Sequence, residues 1–177
     1  MTENETLLLT TTRFEVVDLP AISGQPTGKR RQIVRHPGAV TILPMVDHNH
    51  VCLIRNFRVS VNESLIELPA GTLEPDESPL STAHRELMEE TGYRAQQMQF
   101  IHQFLLSPGI LDERMHLFVA TDLNAGEPAR ESGEDISNLV VSWPQAIQWI
   151  FSGEIQDAKT ITGLLMYDQI RKATVPS

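Results

Sequence analysis

Three glutamates within five residues, Glu86, Glu89 and Glu90, are the side chains of this sequence whose spacing most clearly suggests chemistry. On a helix, Glu86 and Glu90 stack one turn apart and Glu89 lies beside them. Like charges at this spacing repel, and near the C-terminal end of a helix the macrodipole also disfavours anions. An arrangement that is unfavourable on two counts indicates a missing partner, and hard divalent cations bound by carboxylate and carbonyl oxygens would supply it.

The alternative interpretation is a solvated acidic helical face in an unrelated protein. Such faces usually carry Lys or Arg four residues further on. Between Gly71 and Gly92 the sequence has six carboxylates and one arginine, Arg85, which can reach Glu89 but not all three glutamates. The charge pattern therefore favours a metal site over a simple solvated face.

A helix over residues 78–91 must position these glutamates. Ser78 followed by Pro79 is a favourable helix start, because a side-chain oxygen caps a free N–H and the proline ring needs none. Gly92 is a favourable stop. Apolar side chains recurring every three or four residues predict one buried stripe, formed by Leu80, Ala83, Leu87 and Thr91.

The rest of the chain predicts an α+β protein with a mixed sheet sandwiched between helices (α/β/α). Two helices are predicted at the C-terminal end, over 144–153 and 157–174. Pro37 interrupts the second of the β-rich runs and predicts two strands there. The β-rich runs are 13–19, 31–46, 51–59, 64–70, 96–106, 115–123 and 136–143.

Composition limits the classes of partner. The formal net charge of −9 over 177 residues argues against a general nucleic-acid surface, which needs clustered Lys and Arg. The one basic cluster, at 28–32, is interpreted as the solvated start of a strand rather than a phosphate site. No apolar run approaches the roughly 20 residues that span a bilayer, so no membrane partner is expected. The acidic N-terminus without a basic leader and the single cysteine, Cys52, predict a cytoplasmic protein with a buried thiol.

The spacing of fixed residues from 71 to 93 resembles the Nudix box of the Nudix hydrolase superfamily. The matching positions are Gly71, Glu77, Arg85-Glu86-Leu87, Glu89-Glu90 and Gly92, and Tyr93 stands where an aliphatic residue is usual. The resemblance implies the Nudix fold, a mixed sheet between helices. It also implies metal-dependent hydrolysis of a pyrophosphate bond, with Mg²⁺ as the cofactor and Mn²⁺ as a substitute.

The resemblance assigns roles within the box. Glu86 and Glu90 would be the principal metal ligands, Glu89 a ligand or an orienting base, and the Ala70 carbonyl would complete the site.

Three further box residues would be structural. Arg85 and Glu77 would pair and fix the loop to the helix, and Gly71 would let the chain turn tightly.

Outside the box, "HPGAVTILPM", "LIRNFRVSVNESLIELPAGTLEP", Pro108 in "LLSPGILDERMHLF" and "SGEIQDAKTITGLL" resemble the ADP-ribose pyrophosphatase branch. The implied reaction is hydrolysis of ADP-ribose to AMP and ribose 5-phosphate. Two alternatives remain open. One is another nucleoside diphosphate sugar as substrate, such as GDP-mannose or a UDP-sugar. The other is a non-catalytic module that senses a nucleotide, although such modules typically lose box carboxylates.

By the same resemblance, Arg58 would contact a substrate phosphate, and Ser107 and Glu113 would lie near the terminal ribose. Glu134 would act as general base on the attacking water or help to hold a third metal. Glu131 or a box glutamate is the alternative base.

The resemblance also implies a homodimer. Residues 1–30 are expected to form an N-terminal β segment that is exchanged between subunits and helps to wall the adenine pocket, with the Nudix domain spanning 31–177. The adenine-stacking residue is not fixed by the sequence, but Phe14 is available.

Overall fold

The computed structural model describes residues 5–22, 28–130 and 135–174, and these residues form ten strands and three helices. The strands are β1 (Thr6–Thr10), β2 (Glu15–Pro20), β3 (Arg30–Arg35), β4 (Ala39–Pro44), β5 (His50–Arg58), β6 (Glu63–Glu67), β7 (Ala70–Thr72), β8 (Arg94–Leu105), β9 (Arg114–Asn124) and β10 (Ile136–Ser142). The helices are α1 (Pro79–Thr91), α2 (Trp143–Ser152) and α3 (Ala158–Thr174).

The central layer consists of two sheets. One is mixed, in the order β7-β4-β9-β8, with β4 and β9 parallel and the other pairs antiparallel. The other is antiparallel, in the order β10-β5-β6. Strand β4 is buried along its whole length, as expected of a strand covered on both faces. Its Val40 and Ile42 pack with α1, whereas Leu43 packs in the cluster that includes residues of α2 and α3. The predicted α/β/α arrangement is confirmed.

Helix α1 begins and ends where the local signals predict. The Ser78 hydroxyl accepts a hydrogen bond from the Ser81 amide at 3.1 Å, and Pro79 occupies the first helical position. At the other end Gly92 adopts a left-handed conformation with φ of 80°, and its amide donates to the Met88 carbonyl at 2.8 Å. These terminal contacts set the length of the helix and therefore the position of its carboxylates.

The predicted apolar stripe on α1 is wrong at its first member. Leu80 is 47% exposed, whereas Ala83 and Leu87 are fully buried against β4 and Thr91 is 3% exposed. The stripe is therefore buried only from the second turn onward. Glu90 is also buried, at 5% exposure, so the acidic side of the helix does not face open solvent along its whole length.

The N-terminal region forms a third sheet, in the order β1-β2-β3. Strand β1 was not among the predicted strands, and the sheet continues past residue 30 to Arg35, where Pro37 and Gly38 separate β3 from β4 as expected. The Val34 amide donates to the Ile110 carbonyl at 2.8 Å and connects this sheet to the loop before β9.

Cys52 is a buried free thiol, as predicted, and its burial raises its pKa to about 11. Within the described ranges, none of the helices combines the length and the apolar character needed to cross a bilayer.

Candidate active site

A cleft of about 1040 Å³ brings together most of the residues that the sequence singled out. One part of the lining, the acidic wall, consists of the α1 residues Glu86, Glu89 and Glu90 with β7 and the loop that follows it. Another part, the basic wall, consists of Arg58 and Lys159. Residues 12–14, between β1 and β2, line it as well. The cleft therefore combines acidic and basic side chains from elements that are distant in sequence.

The acidic wall is held against the backbone of β7. The Ala70 amide donates to Glu90 Oε2 at 2.9 Å, and Glu90 is buried. Next to it, a Cβ atom at Gly71 would lie 1.8 Å from Glu86 Oε1. Gly71 lies within β7 and is not among the residues with positive φ, so the expected tight turn is wrong. The Glu86 carboxylate occupies the space beside the glycine, so a side chain at position 71 would displace that carboxylate.

Arg85 organises the carboxylates on the loop side of α1. It donates from Nε and Nη2 to the two oxygens of Glu77, at 3.0 Å and 2.9 Å. Its Nη1 donates to Glu86 at 2.7 Å and to Glu89 at 3.1 Å. The hydrogen bonds from Arg85 lower the pKa of Glu77 to about 2, and its carboxylate partners raise the pKa of Arg85, with Glu77 contributing most.

The basic wall is built around a buried carboxylate, Glu67, which is 1% exposed. Arg58 donates to both Glu67 oxygens, from Nε at 2.7 Å and from Nη2 at 2.6 Å. Lys159 also donates to Glu67, and its Nζ lies 3.0 Å from Asp157 Oδ2. Burial opposes the ionisation of Glu67, but its hydrogen bonds with Arg58 and Lys159 and their positive charges outweigh this effect and lower its pKa. The hydrogen bond to Glu67 likewise raises the pKa of Arg58.

Sequence reasoning missed Glu67, Asp157 and Lys159, because residues 92 positions apart meet only in the fold. One signal was present: Glu67 directly follows the apolar pair "LI" at the end of a strand, and a carboxylate in such a position needs a partner. Nothing in the local pattern identifies that partner as Lys159.

The remaining predicted residues differ in whether they line the cleft. Glu113 lines the cleft, and its Oε1 is 3.8 Å from His36 Nδ1. Ser107 is exposed, and its carbonyl accepts from the turn that follows it; its neighbour Leu106, rather than Ser107 itself, lines the cleft. Phe14 lines the cleft of its own chain and is 37% exposed. The proposed general base, Glu134, and its alternative, Glu131, lie outside the described residues.

The chemistry of the acidic wall fits a hard divalent cation, because carboxylates and a backbone carbonyl are the donors that Mg²⁺ prefers. Glu86, Glu89, Glu90 and Ala70 supply this donor set around one cleft, where the missing Cβ of Gly71 leaves room for Glu86. In the described part of the chain, no three His, Cys, Asp or Glu side chains converge as a metal cage as they stand. Arg85 instead donates to Glu86 and Glu89 from its guanidinium.

Comparison with protein families agrees with this fold and site. The model of the NUDIX domain matches residues 35–163, which is most of the chain. The protein therefore belongs to the NUDIX domain family, and the family resemblance read from the box is confirmed.

Three curated relatives carry different names. The chain is 37% identical to a "Methanol dehydrogenase activator" of Bacillus methanolicus over 163 residues, covering 91% of this chain and 86% of that protein. It is 40% identical to an "ADP-ribose pyrophosphatase" of Bacillus subtilis over 152 residues, covering 84% and 82%. It is 36% identical to a "GDP-mannose pyrophosphatase" of Shigella flexneri over 164 residues, covering 86% and 84%.

A solved structure shows the same fold over nearly the whole chain. It is a crystal structure of an ADP compounds hydrolase, with a TM-score of 0.78 and 25% sequence identity. The match covers 97% of this chain and 93% of that one, so it includes the N-terminal sheet as well as the box.

Proposed function

We propose that the protein is a metal-dependent hydrolase that cleaves the pyrophosphate bond of ADP-ribose, giving AMP and ribose 5-phosphate. The observation that carries the proposal is the joint placement of Glu86, Glu89 and Glu90 with Arg58 and Lys159 around one cleft. Such a site suits a diphosphate diester, because bound metal ions and fixed cationic side chains can both balance the charge of its oxygens. The names of the Bacillus subtilis relative and of the solved structure support an ADP compound as substrate.

In this proposal Glu86, Glu89, Glu90 and the Ala70 carbonyl hold Mg²⁺, with Mn²⁺ as a substitute. When bound there, such a cation would neutralise phosphate charge and lower the pKa of a water. The chain keeps these donors in place through the Ala70 amide, which holds Glu90, and through Arg85, which holds the loop by Glu77. Arg85 acts as a structural cation because its main partner is Glu77, with which it forms two hydrogen bonds.

The substrate contacts follow the walls of the cleft. Arg58 and Lys159 bind phosphate oxygens. The buried Glu67 carboxylate accepts hydrogen bonds from both side chains and keeps them in position. Glu113 and Ser107 lie near the terminal ribose, and Glu113 accepts hydrogen bonds from its hydroxyl groups. The position of Glu113 on the cleft supports its role. The support for Ser107 is weaker, because Ser107 is exposed and does not line the cleft. Phe14 offers an aromatic face for the adenine.

The proton of the attacking water passes to a carboxylate. Glu134 is the residue proposed for this step, and Glu131 or a box glutamate is the alternative. The new P–O bond forms as the bond between phosphorus and the bridging oxygen breaks, so that one phosphate remains on each product.

The assembly belongs to the same proposal: a cytoplasmic homodimer in which residues 1–30 contribute to the interface. The leucines of β1 support it, because Leu7, Leu8 and Leu9 are each about half exposed on an edge strand, at 46%, 53% and 51%. An exposed apolar edge strand favours pairing with another chain. The molar mass in solution, measured by light scattering, tests the dimer.

A second candidate substrate is GDP-mannose, which is favoured by the name of the Shigella flexneri relative. The acidic wall is common to both substrates, so the choice depends on contacts to the base and the terminal sugar. A non-catalytic sensing module is less consistent with the chain, because every box carboxylate is present.

A substrate panel tests the proposal. Release of nucleoside monophosphate is measured from ADP-ribose, GDP-mannose and UDP-glucose, each with Mg²⁺, with Mn²⁺ and with a chelator. ADP-ribose is expected to give the highest kcat/KM, and the chelator to abolish turnover. Faster turnover of GDP-mannose would replace the substrate, and full activity in chelator would refute the metal site.

A further inference from the structure

The last turn of α1 is contacted by residues 126–130, which follow β9, and by Asn138 of β10. Helices leave their final carbonyls without intrahelical partners. In this helix the carbonyl oxygens of residues 89–91 accept, in that order, from the Ala129 amide at 3.0 Å, Arg130 Nε at 3.1 Å and Asn138 Nδ2 at 2.7 Å. Three consecutive carbonyls are thus satisfied by donors from outside the helix.

Arg130 and Asn138 are also joined to each other. Arg130 Nη2 donates to Asn138 Oδ1 at 2.9 Å, so both side chains bond the helix and each other at once. Asn138 lies on β10 opposite Ile54 of β5. The end of α1 is therefore tied to the second sheet, although α1 packs mainly on the first.

The backbones at this junction pack so closely that neither glycine has room for a side chain. A Cβ atom at Gly92, whose φ is 80°, would lie 2.2 Å from the Gly126 carbonyl oxygen. A Cβ at Gly126 would in turn lie 3.0 Å from the Gly92 carbonyl oxygen. These two glycines meet backbone to backbone, so the segment before Arg130 fits the helix end closely.

Two of the three residues whose carbonyls are held, Glu89 and Glu90, have carboxylates that belong to the acidic wall. Both residues line the cleft, and Glu90 also accepts from the Ala70 amide. A rotation or shift of the last turn would move both carboxylates away from Glu86, which lies one turn earlier.

We propose that Arg130, joined to Asn138, is a positioning residue that fixes the carboxylates of Glu89 and Glu90 in the cleft through the carbonyls of the same turn. The inference rests on the proposed function, in which those carboxylates hold the metal. Partners that orient metal ligands without touching the metal typically contribute about 10- to 100-fold to affinity or activity.

The experiment compares Mn²⁺ binding, followed by electron paramagnetic resonance, in the whole wild-type protein and in Arg130→Gln. The variant is expected to bind Mn²⁺ at least about tenfold more weakly. At saturating metal its kcat for ADP-ribose is expected to fall, whereas its KM changes less than about twofold, because Arg58 and Lys159 are untouched.

Two further variants separate geometry from charge. Arg130→Lys keeps the charge but loses the planar fork that bonds two partners, so its Mn²⁺ affinity is expected to stay low. Asn138→Asp keeps the acceptor for Arg130 but loses the donor to the Thr91 carbonyl, and weaker Mn²⁺ binding is expected there too. Arg55→Gln, at an exposed arginine on β5, is the control and is expected to behave as wild type.

The outcomes are distinct. If Arg130 acted only through its charge, Arg130→Gln would bind Mn²⁺ more tightly than wild type, because a nearby cation would be removed. Tighter binding in that variant overturns the inference. Wild-type Mn²⁺ affinity in Arg130→Gln or in Arg130→Lys also overturns it. Unfolding midpoints show whether each variant is folded, and an unfolded Arg130→Gln leaves the decision to Asn138→Asp. A wild type that binds no Mn²⁺ overturns the metal proposal as well. A wild type that binds Mn²⁺ without cleaving ADP-ribose overturns the proposed function but leaves the affinity comparison decisive for Arg130.

Discussion

Gly71 and Glu86 approach each other so closely that a Cβ atom on the glycine would lie 1.8 Å from the carboxylate oxygen Oε1. The glycine lies in β7 and the glutamate on α1, so the carboxylate of the helix fills the space that a side chain on the strand would need. Any side chain at position 71 must push Glu86 out of its place.

Gly71→Ala is therefore expected to lower kcat by about 100-fold, the effect of roughly 1 Å of misplacement in an active site. Steady-state kinetics with ADP-ribose and Mg²⁺ measures it. Gly109→Ala is the matched control, because a Cβ there meets no described atom within 4 Å and its φ is not positive. Equal activity in the two variants would show that the position of Glu86 does not matter.

Glu86→Gln tests the metal assignment itself. The change removes a charge that the proposed cation needs but keeps the volume of the side chain and its ability to bond Arg85. We expect kcat to fall by several powers of ten, with the fold intact, because metal-assisted water activation depends on such ligands. Activity is measured together with far-ultraviolet circular dichroism. A fully active Glu86→Gln protein would refute the role of this residue.

The bounds of α1 were predictable because their causes are local. Ser78, Pro79 and Gly92 act through neighbours within four residues, and the structure begins and ends the helix at these positions. The exposure of Leu80 was not predictable in this way, because periodicity shows which side of a helix is apolar but not how far the sheet beneath it extends.

In the candidate site, too, the residues with a local sequence signal were predictable and those brought together only by the fold were not. The box carboxylates follow from spacing on one helix, whereas Lys159 reaches Glu67 across 92 positions of sequence and has no local signature. Gly71 was identified as structural for the wrong reason. A glycine pattern does not distinguish a tight turn from a close approach, and only the fold shows that Glu86 occupies the space.

The Glu77–Arg85 pair predicts a pH dependence of stability. The pKa of Glu77 falls from an ordinary value of 4.5 to about 2 in the folded protein. Because the pKa is lower in the folded state, the Glu77 carboxylate stabilises the folded protein when the pH is above the ordinary pKa of 4.5. The protein loses this contribution as the pH falls toward about 2. At neutral pH the free energy of unfolding of wild type is expected to be about 1–2 kcal/mol larger than that of Glu77→Gln. This value lies between those for exposed ion pairs and for charge-assisted hydrogen bonds.

Urea unfolding of both proteins between pH 2 and pH 6 measures this difference. It should be constant above about pH 5 and should shrink steadily below pH 4.5. A difference that stays unchanged down to pH 2 would argue against the ion pair as its source.

Glu67→Gln is expected to destabilise the protein by about 3–5 kcal/mol, because it removes the shared anion of a charge cluster and leaves the buried Lys159 with Asp157 alone. Arg58 and Lys159 would lose their shared anion at a position that is 1% exposed. Denaturant midpoints at neutral pH measure the loss. Glu63→Gln, at an exposed glutamate on the same strand, is the control and should change stability little. Similar midpoints for the two variants would contradict a structural role for the Glu67 cluster.

Phe14 gives the test of base recognition. The hairpin tip is held by local bonds, in which the Phe14 amide donates to Thr11 Oγ1 at 2.9 Å and the Phe14 carbonyl accepts from the Thr11 amide at 3.0 Å. The ring is therefore presented at the cleft without large loss of loop entropy on binding. Phe14→Ala is expected to raise KM for ADP-ribose roughly tenfold, the lower range of base–aromatic stacking, with little change in kcat. Phe151→Ala, which removes a ring that is 78% exposed on α2, is the control. The same KM in both variants would exclude stacking of the adenine on Phe14. A fall in kcat without a rise in KM in Phe14→Ala would mean that residues 11–14 support the acidic wall instead.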